Sequence, residues 1–522
     1  MGFGSRVALT SACAVLLARY LSNASLGSYL INIFLLALAQ GVGWVVWNMI
    51  LWPKVFSPLR KLPQPKKSDF FYGQWAKIRE EPNGQPMKEW EETIPNDGLI
   101  LYHLFHLERV LITNGTALQE VLHTKNYDFV KPPQFRTTLG RLLGIGILLA
   151  EGDEHKNLYP VFWAKAREVT TAMAGTLREA TESDPDADVL EVGGWASRVT
   201  LDIIGVAGMG HDFNAIQDPQ SELNQCYRHI FQPNRGARLI GLLGLVLPPG
   251  VVTRLPIRRN QEINDAIKLI RRVCQGLIDE KRSVFEKSGD TGVDILSTAL
   301  ESGMFTDESL IDQLMTFLAA GHETTASAMS WASYLLCLHP HVQRRLREEI
   351  RSSLPPLSDP DSSISPADID KLPYLNAFCN EVLRFMPPVT LTMRIAAHDT
   401  TIVGKPIPKG TMIILHPGAI NVSKAGWGED AHVFNPDRWL GPGRANTGGQ
   451  KNNYAFLTFL HGPRSCIGKE FAKAEFAILV AAWVGRFEME LADKDYQLDI
   501  ASGLTSRPRG GLKVRMKTLA GW

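Results

Sequence analysis

Near its C-terminal end the chain reads Phe459-Leu460-His461-Gly462-Pro463-Arg464-Ser465-Cys466-Ile467-Gly468-Lys469. About six turns of helical pattern follow, with Phe471, Phe476, Ile478, Leu479, Ala482 and Trp483 recurring at three- and four-residue spacing. A short loop therefore delivers one cysteine to the start of an apolar helix, and the rest of the chain has to form a box around that sulfur. At a helix N-terminus, unpaired backbone N–H groups and the helix dipole favour thiolate over thiol. One cysteine is too few for a zinc or iron–sulfur site, but it suffices when a porphyrin supplies the other four ligands. Gly462 and Gly468 lack Cβ atoms, so the backbone can turn sharply and press against a flat macrocycle. Arg464 can pair with a carboxylate on the ring edge. The competing reading is a buried structural cysteine.

The F-x-x-G-x-R-x-C-x-G pattern at residues 459–468 resembles the haem-binding loop of the cytochrome P-450 monooxygenases, with every fixed position filled. The resemblance implies a mainly α fold with small β-sheets behind an N-terminal membrane anchor. It makes Cys466 the axial ligand of a haem b iron, with Phe459, Gly462, Arg464 and Gly468 around the cofactor.

Upstream, Thr306 is a good N-cap, Asp307 and Glu308 suit a first turn, and no proline follows until Pro340. This predicts a helix on the order of 50 Å long. In its middle lies Ala319-Ala320-Gly321-His322-Glu323-Thr324-Thr325. An acid, two hydroxyls and a glycine weaken a central apolar helix and need partners when buried. Such a local violation marks a functional site. The segment matches the family motif A-G-x-[DE]-T-T. By that resemblance Ala320 and Gly321 leave space for dioxygen, Glu323 and Thr324 relay protons, and Thr325 supports Thr324. The other reading is a threonine hydroxyl bonded back to the carbonyl four residues earlier.

Glu381 and Arg384, three apart on a helix that begins near Pro373, share a face and can pair. Phe434-Asn435-Pro436-Asp437-Arg438-Trp439 resembles the family element whose arginine joins that pair, so Glu381, Arg384 and Arg438 are expected to form a structural triad. Between them, Pro387 to Arg394 leaves the helix as an extended run. Arg394 matches the arginine that meets a haem propionate in the family. The family layout then places Ile147, Phe317, Val389, Leu391 and Leu504, with Thr505 beside it, in an apolar substrate pocket.

The N-terminal end carries a different signal. From Tyr20 to Trp52 there is no charged residue, and residues 30–52 are long enough to span a bilayer, with Trp44, Trp47 and Trp52 toward one end. A weaker apolar run covers 7–21. Lys54, Arg60, Lys61, Lys66 and Lys67 follow the span, an excess of positive charge that marks the cytosolic side. Pro53, Pro58, Pro63 and Pro65 predict an extended connector. The expected organisation is an anchor over 1–52, a proline-rich basic hinge over 53–67 and a catalytic domain over 68–522. Short alternating runs before residue 135 predict a small sheet. The apolar stretch Leu239–Val252 reads either as a buried helix–loop or as a segment that touches the membrane beside the substrate entrance. The six cysteines lie far apart with no C-x-x-C pair, which fits a reducing environment, and a net charge of +1 gives no hint of nucleic acid.

One departure stands out. The run Glu151-Gly152-Asp153-Glu154-His155-Lys156 resembles the start of the family helix that contributes a propionate-binding arginine, but Tyr159 occupies the expected arginine position and Pro160 interrupts the pattern.

Taken with the family, the chain is expected to insert one atom of dioxygen into a lipophilic small molecule. NADPH-derived electrons would come through a separate NADPH–cytochrome P-450 reductase at an endoplasmic reticulum membrane, with the catalytic domain facing the cytosol. The style of the motifs resembles the filamentous-fungal branch that tailors terpenoid, polyketide or alkaloid secondary metabolites. Two alternatives stay open: a haem-thiolate isomerase or dehydratase that needs no reductase, and a non-catalytic membrane protein with a degraded haem site.

Overall fold

The computed structural model describes residues 26–66, 68–81, 84–132, 158–184, 187–231, 236, 239–240, 243, 249–288, 294–303, 305–450 and 452–522. The second apolar run over 7–21, Ile147, His155 and Lys156 lie outside these residues, as does much of the stretch 239–252.

Leu26–Val46 forms helix α1, which continues as π-helical turns over Trp47–Phe56. Ile31, Phe34, Leu35 and Leu38 are exposed. The 23 residues Phe34–Phe56 are long and apolar enough to cross a membrane. Two expectations change here. The helix does not stop at Trp52, because the Ser57 N–H donates to the Trp52 carbonyl at 2.7 Å, and this wide turn encloses Pro53, which has no N–H to give. The expected extended connector begins as a 3₁₀ turn over Pro58–Lys61, capped by Ser57 Oγ and anchored by the buried Leu59. The indoles do not simply mark a lipid interface either. Trp52 Nε1 donates to Glu108 Oε2 at 2.9 Å, and the Trp44 ring meets His106 edge-on at 5.0 Å.

A five-stranded sheet follows, built from β1 (Leu99–Leu104), β2 (Leu107–Ile112), β3 (Phe129–Val130), β4 (Thr392–Ala396) and β5 (Met412–Leu415) in the order β1-β2-β5-β4-β3. β1 pairs antiparallel with β2, Leu101 opposite Val110, and β2 runs parallel to β5, Val110 opposite Ile413. Leu101, Val110 and Ile413 all belong to one buried cluster of this sheet. Asn114 caps the helix that follows β2 by accepting from Ala117 N–H.

The larger core is helical. Its helices include α2 (Tyr159–Ser183), α3 (Val192–Met209), α4 (Glu222–Phe231), α5 (Asp307–Leu338), α6 (Pro373–Phe385) and α7 (Lys469–Arg486). Pro160 falls in the first turn of α2, where a missing N–H costs nothing, so it begins a helix rather than interrupting one. Thr306 caps α5 by accepting from Ser309 N–H. α5 packs against both α3 and α7. Near the C-terminal end, β6 (Ile500–Ser502) and β7 (Ser506–Pro508) make a hairpin against α5, and Val189–Glu191, Lys513–Thr518 and Phe487–Leu491 form a three-stranded sheet.

Candidate active site

The cysteine loop closes on itself before α7 begins. The Cys466 N–H donates to the Phe459 carbonyl at 2.8 Å, and the first helical residue is Lys469, with Gly468 at the cap. Cys466 therefore precedes the helix by one loop turn instead of lying in its first turn. The thiol is exposed, whereas Cys274 and Cys379 are buried. Enough protein surrounds it that burial pushes its pKa up, against the smaller opposing pull of the Gly468 N–H and the Lys469 ammonium. The expected preference for thiolate is thus outweighed in the chain alone, and ionisation requires a stronger local charge, such as a coordinated metal ion supplies.

The two glycines do different things. Gly462 has φ of +78°, and a Cβ there would lie 2.1 Å from the Leu122 carbonyl oxygen, so this glycine presses on the chain's own backbone. Gly468 has open space where a Cβ would point. Phe459 packs at the edge of the helical core.

Arg394 is fully buried on β4 and donates to Thr392 Oγ1 and the Met393 carbonyl. Burial, with Arg464 as a nearby second positive charge, lowers its pKa to about 10. Arg464 Nη2 donates to the Phe129 carbonyl at 2.9 Å. Among the described residues neither guanidinium has an acidic partner. Two like charges, one of them buried, are costly without an anion between them. A pair of guanidiniums near an exposed thiol suits a flat dianionic ring whose metal takes the sulfur. Among the described residues no group of three or more His, Cys, Asp or Glu could hold a metal unaided.

The oxygen-side motif divides between two faces of α5. Phe317, Ala320, Gly321 and Thr324, at helical spacing, keep some surface open, while Ala319, His322, Glu323 and Thr325 are buried. Thr324 Oγ1 donates back to the Ala320 carbonyl at 2.8 Å, and Thr325 Oγ1 makes a longer bond to Gly321 at 3.4 Å. Gly321 also lets α3 approach, since a Cβ there would lie 3.0 Å from the Ile204 side chain. His322 turns its ring edge-on to Tyr227, and burial lowers its pKa to about 4.

Glu323 does not bond to Thr324. Its Oε1 accepts from Thr505 Oγ1 at 2.8 Å and from Arg507 Nη1 at 3.4 Å. Burial raises its pKa, and Arg507 and Thr505 oppose that rise. Thr505, expected in the substrate pocket, instead serves this acid. Arg507 was not visible in the sequence as a site residue, because no local spacing connects it with a helix almost two hundred positions earlier. Glu475 was missed as well: it is fully buried on α7, and neither carboxyl oxygen has a hydrogen bond of normal geometry, although Thr325 acts on it.

The triad residues meet. Arg384 Nε and Nη2 donate to the two oxygens of Glu381 at 2.8 Å each, and Arg438 Nε donates to Oε1 at 3.1 Å. Trp439 Nε1 and the Asn435 N–H complete the carboxylate's shell, and Arg384 also donates to the carbonyls of Asn421, Ala431 and Val433. This is a fully buried ion pair with its polar atoms satisfied, and it fastens α6 to the segment before the cysteine loop.

The expected pocket residues do not share one wall. Phe317 and Leu504 pack on the helical core, Leu391 packs with Met87 and Trp90 on the sheet side, and Val389 is half-buried between Pro388 and Thr390.

Comparisons with known proteins place the chain in one family. The sequence pattern of the cytochrome P450 family matches residues 63–514. The chain is 44% identical to the cytochrome P450 monooxygenase sphH of Aspergillus fumigatus, with 95% of each chain covered. It is 45% identical to the cytochrome P450 monooxygenase FUM15 of Gibberella moniliformis over 91% of each, and 40% identical to ALT8 of Alternaria alternata, also a cytochrome P450 monooxygenase, over 92% of this chain and 93% of the relative.

Proposed function

The chain belongs to the cytochrome P450 family and is a monooxygenase of it, and on that premise we propose that it hydroxylates a lipophilic secondary metabolite of a fungus, using electrons that an NADPH–cytochrome P450 reductase delivers at the endoplasmic reticulum membrane. The observation that carries this reading is the exposed Cys466 thiol two residues from Arg464, whose guanidinium neighbours that of the buried Arg394, both without described acidic partners. The family implies haem with thiolate ligation; Cys466 would hold its iron, and Arg394 and Arg464 would hold its propionates. Bound there, the haem supplies dioxygen activation, with the sulfur's electron density favouring O–O cleavage.

The chain's own residues do the rest. Gly462 fixes the loop against Leu122 and so fixes where the sulfur points. The open stripe Phe317, Ala320, Gly321 and Thr324 faces the reacting side, where Thr324 can give a proton and recover it from a neighbour. Glu323 is the proton reservoir for that exchange. Phe317 on that stripe, with Leu504 packed on the same helical core, excludes water and favours a lipophilic substrate. α1 holds the enzyme at the membrane where such a substrate dissolves, with the basic residues after it on the cytosolic side. The fungal origin of the relatives supports the substrate class.

The test is a labelled-oxygen experiment on membranes that contain the chain and a reductase, supplied with NADPH and a panel of terpenoid, polyketide and alkaloid candidates. A product with a single oxygen atom from ¹⁸O₂, formed only when NADPH and reductase are present, is expected. A product that needs neither dioxygen nor NADPH would put the isomerase or dehydratase reading in its place.

A further inference from the structure

The partners of Glu323 come from the β6–β7 hairpin. Thr505 lies at its tip and Arg507 in its second strand, and both donate to Oε1 of the same carboxylate. Between them, Ser506 is tied down on every side. Its N–H donates to the Pro388 carbonyl at 2.7 Å and its hydroxyl to the Pro387 carbonyl at 3.1 Å. Its carbonyl accepts from Ser327 Oγ at 2.6 Å, and its hydroxyl from Trp331 Nε1 at 3.1 Å. Ser327 and Trp331 lie one and two turns beyond Glu323 on α5. The hairpin is therefore fastened to the same helix that carries the acid, and Thr505 and Arg507 meet Glu323 from a fixed base.

Glu323 also forms part of the wall of a cavity of about 330 Å³ bounded by α3, α4, α5 and the hairpin. The charged groups on that wall are Glu191, Arg228, Arg507 and Arg509 besides Glu323 itself. Glu191 is engaged by the Gly193 and Gly194 N–H groups, and Arg509 by Asp499. These charged groups share the wall with a greater extent of apolar surface, and the space is large enough for several waters beside them. Thr324, by contrast, turns its hydroxyl to Ala320.

We propose that Thr505 and Arg507 are positioning residues for proton delivery: they hold Oε1 of Glu323 on the hairpin side, so that the carboxylate takes protons from water in this cavity and passes them along α5 to Thr324. The inference rests on the reading of Glu323 and Thr324 as the proton-delivery pair. Glu323, as carboxylate, accepts one proton from a hydronium ion in the cavity and leaves water there; the protonated acid then gives that proton to a water between it and the Thr324 hydroxyl, which passes it on, and returns to carboxylate. No electron moves in this exchange. Arg507 helps the acid to release its proton: burial favours the protonated form, and the guanidinium and the Thr505 hydroxyl favour the charged form.

Two measurements on the full chain in lipid nanodiscs test this, with wild type, Arg507→Leu, Arg507→Lys, Thr505→Val and Glu323→Gln. The first is an infrared pH titration of the carboxylic C=O stretch, assigned to Glu323 by its loss in Glu323→Gln. The midpoint should rise by about one pH unit or more in Arg507→Leu and return toward wild type in Arg507→Lys. The second is NADPH oxidation with reductase and no added substrate. Reduction of dioxygen to water consumes two NADPH, whereas release as hydrogen peroxide consumes one, so the peroxide yield per NADPH reports failed proton delivery. It should increase several-fold in Arg507→Leu and Thr505→Val. An unmoved titration midpoint in Arg507→Leu, or an unchanged peroxide yield in Thr505→Val, which preserves side-chain shape, would overturn the proposal. The infrared arm does not depend on haem, so a chain that lacks haem would refute the haem-thiolate reading and still report on Arg507 and Glu323.

Discussion

Glu475 shows how a single buried proton can set the stability of this enzyme. It lies on α7 with no exposed surface, and burial pushes its carboxyl up to about 8, with Thr325 acting in the opposite direction. The folded chain thus holds the proton more tightly than the unfolded chain, whose carboxyl titrates near 4.5. The contribution is fully present below about 4.5 and is lost as pH rises through about 8. Its size is on the order of a few kcal/mol, because each tenfold gain in proton affinity corresponds to about 1.4 kcal/mol before solvent relaxation reduces it. Glu475→Gln keeps the shape without the charge. Glu91 and Asp202, also raised by burial, titrate in both proteins, so the Tm of wild type should fall between pH 5 and pH 9 by several degrees more than that of Glu475→Gln (roughly 2–4 °C for each kcal/mol in a large domain). Equal slopes in the two proteins, by differential scanning, would show that Glu475 is not the group responsible.

The cysteine loop and the helices around it show what could be read from the chain and what could not. α5 was legible over nearly its whole length, because a capping threonine, acidic first-turn residues and an unbroken apolar pattern agree with one another. The meeting of Glu381, Arg384 and Arg438 was legible only through the family resemblance, since E-x-x-R is a weak signal by itself. The π-helical end of the first helix was not legible: Pro53 argues for a break, and only the wide Ser57–Trp52 bond shows how the turn encloses it. Nor was the role of Gly462, which depends on the Leu122 carbonyl from a distant helix. Thermal unfolding separates the two loop glycines. Gly462→Ala combines a positive φ with a backbone clash and should lower stability by about 1–3 kcal/mol. Gly468→Ala meets no protein atom, so it should leave the stability of the haem-free chain within about 0.5 kcal/mol and disturb only the haem spectrum. If Gly468→Ala is the more destabilising of the two, the assignment of Gly462 as the backbone contact is wrong.

Across the chain, the fold gathers residues from widely separated segments. Arg394 on the sheet approaches Arg464 beside the cysteine, Glu323 in the central helix is held by the C-terminal hairpin, and the buried triad ties α6 to the approach to the loop. The apolar first helix, long and apolar enough to cross a membrane, packs its indoles onto the β1–β2 hairpin, so it meets the rest of the chain through specific contacts and not only through a flexible tether. All of this arrangement has a function only if the sulfur of Cys466 binds the iron of a haem. The reduced carbon-monoxide difference spectrum measures that bond. Wild-type membranes should show the family's absorbance at about 450 nm, and Cys466→Ala should lose it while the protein remains at wild-type abundance. A band that persists at about 450 nm in Cys466→Ala, or a well-folded wild-type chain that shows none, would contradict the account.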